Sequence, residues 1–220
     1  LGLIAAGALG AVAMAALPTP ARACFDVAEP VITLDHGSRY SDDSATRSDF
    51  DAASNAEVNK ALKPVDQFIG ELVKHANTAL RNPQSAAEHA ACVADALAIW
   101  AEAGALGDLA TPNAQMSAPS RIAGLAFAYA SVRPWLTDNA QRDLIDQWLR
   151  DHADQIVAYW DRQSPPKASR NNLRAWAGVA VARIGLTLDA DDLTHWAAYS
   201  NTRVACTATP DGSLPLEMAR

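Results

Sequence analysis

The chain has only three cysteines in 220 residues, too few for a disulfide-dense miniprotein, and its 11 Gly and 12 Pro show no collagen-like period. Basic residues are also scarce, 18 Lys+Arg against 25 Asp+Glu for a net charge of -7, with no basic run interleaved with aromatics. That balance argues against nucleic acid as a partner and confines any polyanion to a local cationic cleft. There is no glycine-rich phosphate loop, GxSxG, HExxH or paired CxxC, so nucleotide use, serine hydrolysis and a zinc motif have no support. The five histidines, His36, His75, His89, His152 and His195, are scattered without ligand spacing, and neither metal nor organic cofactor is expected. What is present is half hydrophobic and one-fifth charged, enough to bury a sizeable core.

Leu1 to Leu17 carries no charge, and Pro18, Pro20 and Ala21-Arg22-Ala23 follow. An apolar run of this length, ended by prolines and a small-x-small site, predicts a secretory signal peptide over residues 1–23 rather than a membrane span. Its basic start is missing, and the chain reads as part of a longer protein. Export implies a periplasmic or secreted protein, off the membrane once the signal is removed, in a compartment that permits a disulfide. Cys24 with Cys92 is the favoured pair, because it pins a loose N-terminus onto a helix; Cys206 is then free and expected to be buried.

Residues 24–50 are polar and read as an irregular arm with room for a short helix. From about residue 52 apolar residues recur at three- and four-residue intervals. Val58, Leu62, Val65, Ile69 and Leu72 mark one helix; Ala91, Val93, Leu97, Trp100 and Leu106 mark a second. A third is expected from Pro119 to Pro134, and a fourth carries Leu144, Ile145, Trp148, Leu149, His152, Ile156 and Trp160 up to Pro165-Pro166. The fifth starts near Asn171 and the sixth after Asp189 to Asp192. No alternating pattern or hairpin signal appears, so the fold class is all-α, with helices in consecutive antiparallel pairs. His75 and His89 read as solvated and His152 as a core residue. Trp100, Trp148, Trp160 and Trp196 read as core, and Tyr129, Tyr159 and Tyr199 as packing.

The one segment with chemical character is Lys167-Ala168-Ser169-Arg170-Asn171-Asn172-Leu173-Arg174-Ala175-Trp176, a basic, amide-rich lead into a helix. Helix N-termini present free N–H groups and a partial positive charge, which suit a carboxylate. Ordinary capping by Ser169, Asn171 or Asn172 explains the same residues.

Taken in order, several segments resemble the alginate lyase family, the all-helical poly(β-D-mannuronate) lyase type. Ser38-Arg39-Tyr40, with Arg47 downstream, is similar to its Ser-Lys-Tyr groove segment. Cys92 to Ala101 resembles its Cys-containing helix ending in Trp-Ala, and Asp154 to Arg162 the helix before its active-site turn. Asn171-Asn172-Leu173-Arg174-Ala175-Trp176 stands where the family has Asn-Asn-His-Ser-Tyr-Trp. Asp211 to Arg220 is similar to its Gly-x-x-Pro-x-Glu-x-x-Arg stretch.

The resemblance implies an incomplete (α/α) toroid over residues 24–220 with a deep cleft, truncated at the C-terminus, and a monomer is expected. It also implies a polysaccharide lyase that removes the C5 proton of a 1,4-linked uronate and expels O4 to leave a 4,5-unsaturated sugar. The partner is then an acidic polysaccharide, alginate by default. Negative charge growing on the carboxylate needs donors already in place. Asn172 and Arg220 are the implied catalytic residues, Asn172 on the carboxylate and Arg220 on the carboxylate or beside a tyrosine. Arg39, Tyr40, Asn171, Arg174 and Trp176 are the implied substrate contacts. Leu173 replaces the motif histidine; Arg174 is the nearest substitute cation, although an adjacent helical residue points about 100° away. The family's tyrosine lies beyond the position of Arg220. The change at Leu173 suits an alternative, a glucuronan or other acidic exopolysaccharide lyase; an alternative of a different class is a non-catalytic carbohydrate-binding protein that keeps the cleft.

Overall fold

Helix α1 (Ala52–Arg81) begins where the Asp51 side chain accepts a hydrogen bond from the Ser54 N–H at 2.7 Å. This N-cap satisfies one of the donors that a helix start leaves unpaired. The computed structural model describes residues 24–44 and 47–213. The expected signal segment 1–23 and Arg220 lie outside those residues.

After α1 come α2 (Ala86–Glu102), α3 (Pro112–Val132), α4 (Asn139–Arg162), α5 (Asn172–Leu188) and α6 (Asp191–Ala205). Side-chain contacts give their directions. Phe68 stacks on Trp100 and His75 meets His89, so α1 and α2 run antiparallel. Gly185 faces Leu193 and Thr194 while Gly178 faces Asn201, so α5 and α6 do too. Arg121 pairs with Asp66 and Gly124 touches Ile69, a constant offset that makes α1 and α3 parallel neighbours. Helix α5 packs on the other flank of α3, and α2 and α4 pack across this layer. The result is an all-α, two-layer arc, an incomplete (α/α) toroid.

The core follows the expected stripes. Val58, Leu62, Val65, Phe68 and Leu72 of α1 are buried, as are Ile145, Trp148, Leu149, His152, Ile156 and Trp160 of α4. Two helix limits differ from expectation. Helix α3 starts at Pro112, seven residues before Pro119: Thr111 accepts from the Ala114 N–H at 3.1 Å and Pro112 occupies the first turn, where no donor is lost. Pro119 is then buried inside the helix. Helix α2 ends at Glu102, because Gly104 and Leu106 take left-handed backbone angles, φ 64° and 58°.

The arm contains no helix among its described residues. It is laid down as extended chain, with β1 (Thr33–Leu34) pairing in parallel with β2 (Asp108–Leu109). The Trp100 indole donates to the Ala28 carbonyl at 3.0 Å, and the Leu106 N–H to the Val31 carbonyl at 2.7 Å. A disulfide joins Cys24 to Cys92 on α2, Cα to Cα 5.3 Å. Cys206 is exposed, not buried, because it caps the C-terminal turn of α6 on its outer side. Among the described residues no helix is long and apolar enough to cross a membrane.

Candidate active site

Because α1, α3 and α5 lie side by side, the N-terminal turns of all three reach one end of the layer. There they border a cleft of about 590 Å³, lined by Asn113, Met116 and Ser117 of α3, Asn171 and Leu173 at the start of α5, and Val58 in the second turn of α1. The N-termini of α3 and α5 each carry roughly half a positive charge, which favours an anion, whereas the Asp51 carboxylate already caps α1. Arg39 and Arg47 of the arm and Lys167 of the α4–α5 connection add three cations. Among the described residues no carboxylate lines the cleft and none pairs with these three. A chain with net charge -7 thus keeps a local cationic site.

The arm forms the cleft's outer wall and is tied at both ends. His36 is buried; its Nε2 lies 2.9 Å from Ser117 Oγ, and its carbonyl accepts from Thr111 Oγ1 at 2.7 Å. Further along, Tyr40 bridges Phe50 across an antiparallel pair and stacks on its ring at 5.2 Å, while the Asp51 N–H donates to the Arg39 carbonyl at 3.1 Å. The turn between is gathered by Ser44 Oγ, which accepts from the Ser48 and Asp49 N–H groups, each at 3.1 Å. The wall carrying Arg39 and Tyr40 is therefore hung from the first residues of α1 and α3.

The sequence-predicted residues divide. Arg39, Tyr40 and Asn171 line the cleft, and so does Leu173, the residue in place of the motif histidine. Asn171 caps α5: its Oδ1 accepts from the Leu173 N–H at 3.0 Å, and its carbonyl accepts from Arg174 and Ala175. These bonds leave the first turn largely self-satisfied, so the cleft's attraction for anions rests on the combined dipoles and cations rather than on bare N–H groups. Asn172 is the first residue of α5, half-buried beside the cleft lining. Trp176 is exposed one turn further on and does not line the cleft. Arg220 lies outside the described residues.

Arg174 is turned inward, as its offset from Leu173 requires. It is 2% exposed and donates to Ser200 Oγ at 3.2 Å, the Trp160 carbonyl at 3.0 Å and Asp161 Oδ1 at 3.1 Å, with its guanidinium over the Trp196 ring. It holds α4, α5 and α6 together and is not available to replace the motif histidine. Trp196 is only partly buried, its indole donating to Asp161 at 2.9 Å, and Tyr199, expected to pack, is 58% exposed.

The tyrosines differ in what they can do. Burial, then the hydrogen bond to Asp146 at 2.6 Å, pushes the Tyr129 phenol well above its ordinary range, and burial raises Tyr159. Neither suits proton abstraction near neutral pH. Among the described residues Tyr40 is the tyrosine that lines the cleft. Sequence reasoning missed His36, Asn113 and Ser117. His36 meets Ser117 across 81 positions of chain, and no local pattern signals that pairing.

The alginate lyase family model matches residues 84–220. The chain belongs to the alginate lyase family. A polysaccharide lyase of Stenotrophomonas maltophilia K279a is 34% identical over 174 residues, covering 77% of this chain and 51% of that protein. An alginate lyase of Pseudomonas putida KT2440 is 26% identical over 193 residues, 85% of this chain and 51% of the relative. The chain therefore spans about half the length of these curated relatives. Among solved structures, alginate lyase A1-III with a bound tetrasaccharide superposes with a TM-score of 0.68 at 20% identity, over 84% of this chain and 51% of that one. The Sphingomonas species A1 enzyme itself gives 0.63 at 20% identity, over 88% and 55%. At that identity the likeness is one of fold, and it supports the toroid.

Proposed function

We propose that this protein is a polysaccharide lyase that cleaves a 1,4-linked uronate polymer by β-elimination. The observation that carries the reading is the convergence of the α3 and α5 N-termini with Arg39, Arg47 and Lys167 on one cleft whose described lining has no carboxylate. A polyuronate presents one carboxylate per sugar, and the arm and connection supply three cations to the cleft. Abstraction of the C5 proton sends charge onto that carboxylate, where preformed dipoles and hydrogen-bond donors stabilise the transition state more than the ground state.

In this reading Arg39, Tyr40 and Asn171 contact the polymer. Asn172 at the first position of α5 and Arg220 are the catalytic residues that the family likeness supports. Alginate is the first substrate to test, since several relatives are named alginate lyases. Leu173 favours a second reading, a glucuronan lyase, because it puts an apolar side chain into the cleft where the family motif has a histidine. We assign residues 1–23 to a signal peptide and 24–220 to one lyase domain of an exported protein, acting as a monomer without cofactor. The disulfide between Cys24 and Cys92 suits an oxidising compartment.

The test separates binding from turnover. Arg39→Ala and Lys167→Ala should each raise KM about tenfold, the worth of one charge-assisted hydrogen bond, and added salt should mimic them. Asn172→Ala should lower kcat with little change in polymer affinity. Affinity unmoved by both cation changes and by salt would remove the cleft from the account.

A further inference from the structure

We infer that Cys24, His75, Cys92 and His89 form, once the disulfide is reduced, a two-cysteine, two-histidine site for a zinc-type divalent ion. Disulfide and metal would then be alternative ties across the same joint. The joint is the hairpin of α1 and α2 with the arm laid over it, on a different part of the fold from the cleft.

His75 lies in the last turns of α1. His89 and Cys92 are one helical turn apart at the start of α2, on one face. The two Nδ1 atoms face each other at 2.9 Å, and they and Cys92 Sγ all lie within 4.8 Å of one another. Cys24, an exposed residue of the arm, is bonded through its Sγ to Cys92 Sγ and so sits beside this group. Cys92 is 2% exposed, both histidines are half-buried, and the Phe25 ring stacks on His75 at 5.0 Å, shielding the group from water. Neither histidine is the solvated residue that the sequence suggests.

Two imidazoles and two thiolates are the donor set of closed tetrahedral zinc sites, with Zn–N about 2.0 Å and Zn–S about 2.3 Å. Those lengths place tetrahedral nitrogens roughly 3.3 Å apart and sulfurs roughly 3.8 Å apart. The nitrogens need open only slightly. The sulfurs must separate, and reduction of their bond releases them to do so.

The exchange balances with a phosphine as reductant. The phosphine is oxidised to its oxide with oxygen from water, the disulfide takes up two electrons and two protons to give two thiols, and metal binding then expels both thiol protons. The experiment uses the whole protein, reduced in this way without air and titrated with Co2+ as an optical probe. The expected result is thiolate-to-cobalt charge-transfer absorption with tetrahedral d–d bands, saturating at one ion per chain and bleached by one equivalent of Zn2+. Cys206→Ser should leave these bands intact. His75→Ala combined with His89→Ala should weaken the ion's affinity about tenfold or more. If reduction unfolds the chain, Zn2+ should restore the helical circular dichroism of the parent and not of the double histidine variant. Bands that vanish with Cys206→Ser, affinity unchanged by the histidine substitutions, or a reduced protein with neither bands nor zinc-dependent refolding would overturn the site. The 2.9 Å contact would then be an ordinary hydrogen bond, one ring donating and the other accepting.

Discussion

Replacing His152 should flatten the acid side of the stability profile. The ring is 2% exposed on the inner stripe of α4, edge-on to Trp148 with centroids 5.0 Å apart, and its burial brings the imidazole down from 6.5 to about 4, against weaker opposing pulls from the Ala105 backbone, then Asp151 and Gln155. The folded protein therefore resists a proton that the unfolded chain accepts. Stability from the neutral ring is fully present above the unfolded value near 6.5 and drains away as pH falls toward the folded value near 4. A gap of about 2.5 units is worth about 3 kcal/mol, or roughly 6–12 °C in Tm for a chain of this size. Urea unfolding of the parent and of His152→Phe, which keeps an apolar ring against Trp148, should be compared at about pH 7.5, 5.5 and 4. The parent should lose about 3 kcal/mol more than the variant over that range, and His152→Gln should follow the variant's slope even if it is less stable throughout. Curves that stay parallel from neutral pH to 4 would refute the reasoning.

Gly185→Ala should destabilise the protein by about 1–3 kcal/mol, since its Cβ would lie 2.9 Å from Thr194 Cγ2 and 3.0 Å from the Thr194 backbone N, and the gain in helix propensity is smaller; a thermal melt shifted upward would contradict this. Arg174→Met should cost about 2–4 kcal/mol by orphaning Ser200, the Trp160 carbonyl and the half-exposed Asp161. A large rise in KM without loss of stability would instead return Arg174 to the cleft. Trp100→Phe, which removes the indole donor to the Ala28 carbonyl and leaves that acceptor short of a partner, should loosen the arm by about 1–3 kcal/mol, measurable as faster proteolysis between residues 24 and 50.

Much of the architecture was legible because helix periodicity is a local signal. The stripe from Leu144 to Trp160 is buried as its spacing requires, and Asn171 caps α5 by the ordinary chemistry of an asparagine before a helix. The start of α3 was misread because Pro119 resembles a first-turn proline, while Thr111-Pro112 gives the stronger cap seven residues earlier. The cleft was only half legible. The segments that supply it were visible, yet the joining of residues 36–40, Ser44 and Arg47 with 113–117 and 165–173 depends on parallel helices starting near one level, which no single segment encodes. The inward turn of Arg174 follows from helical geometry once the direction of Leu173 is known. The meeting of His75 with His89 follows from the hairpin, since residues 14 apart across a short turn are neighbours on antiparallel helices.

The central claim, a cationic cleft that performs β-elimination on a uronate polymer, is tested most directly by incubating the protein with alginate, polymannuronate and glucuronan and following the ultraviolet absorbance of the unsaturated product. The account predicts a steady rise with at least one polymer, and a rate that falls in Asn172→Ala while the polymer still binds. No rise with any of the three, from folded protein that retains the polymer, would contradict it and leave a carbohydrate-binding protein in its place.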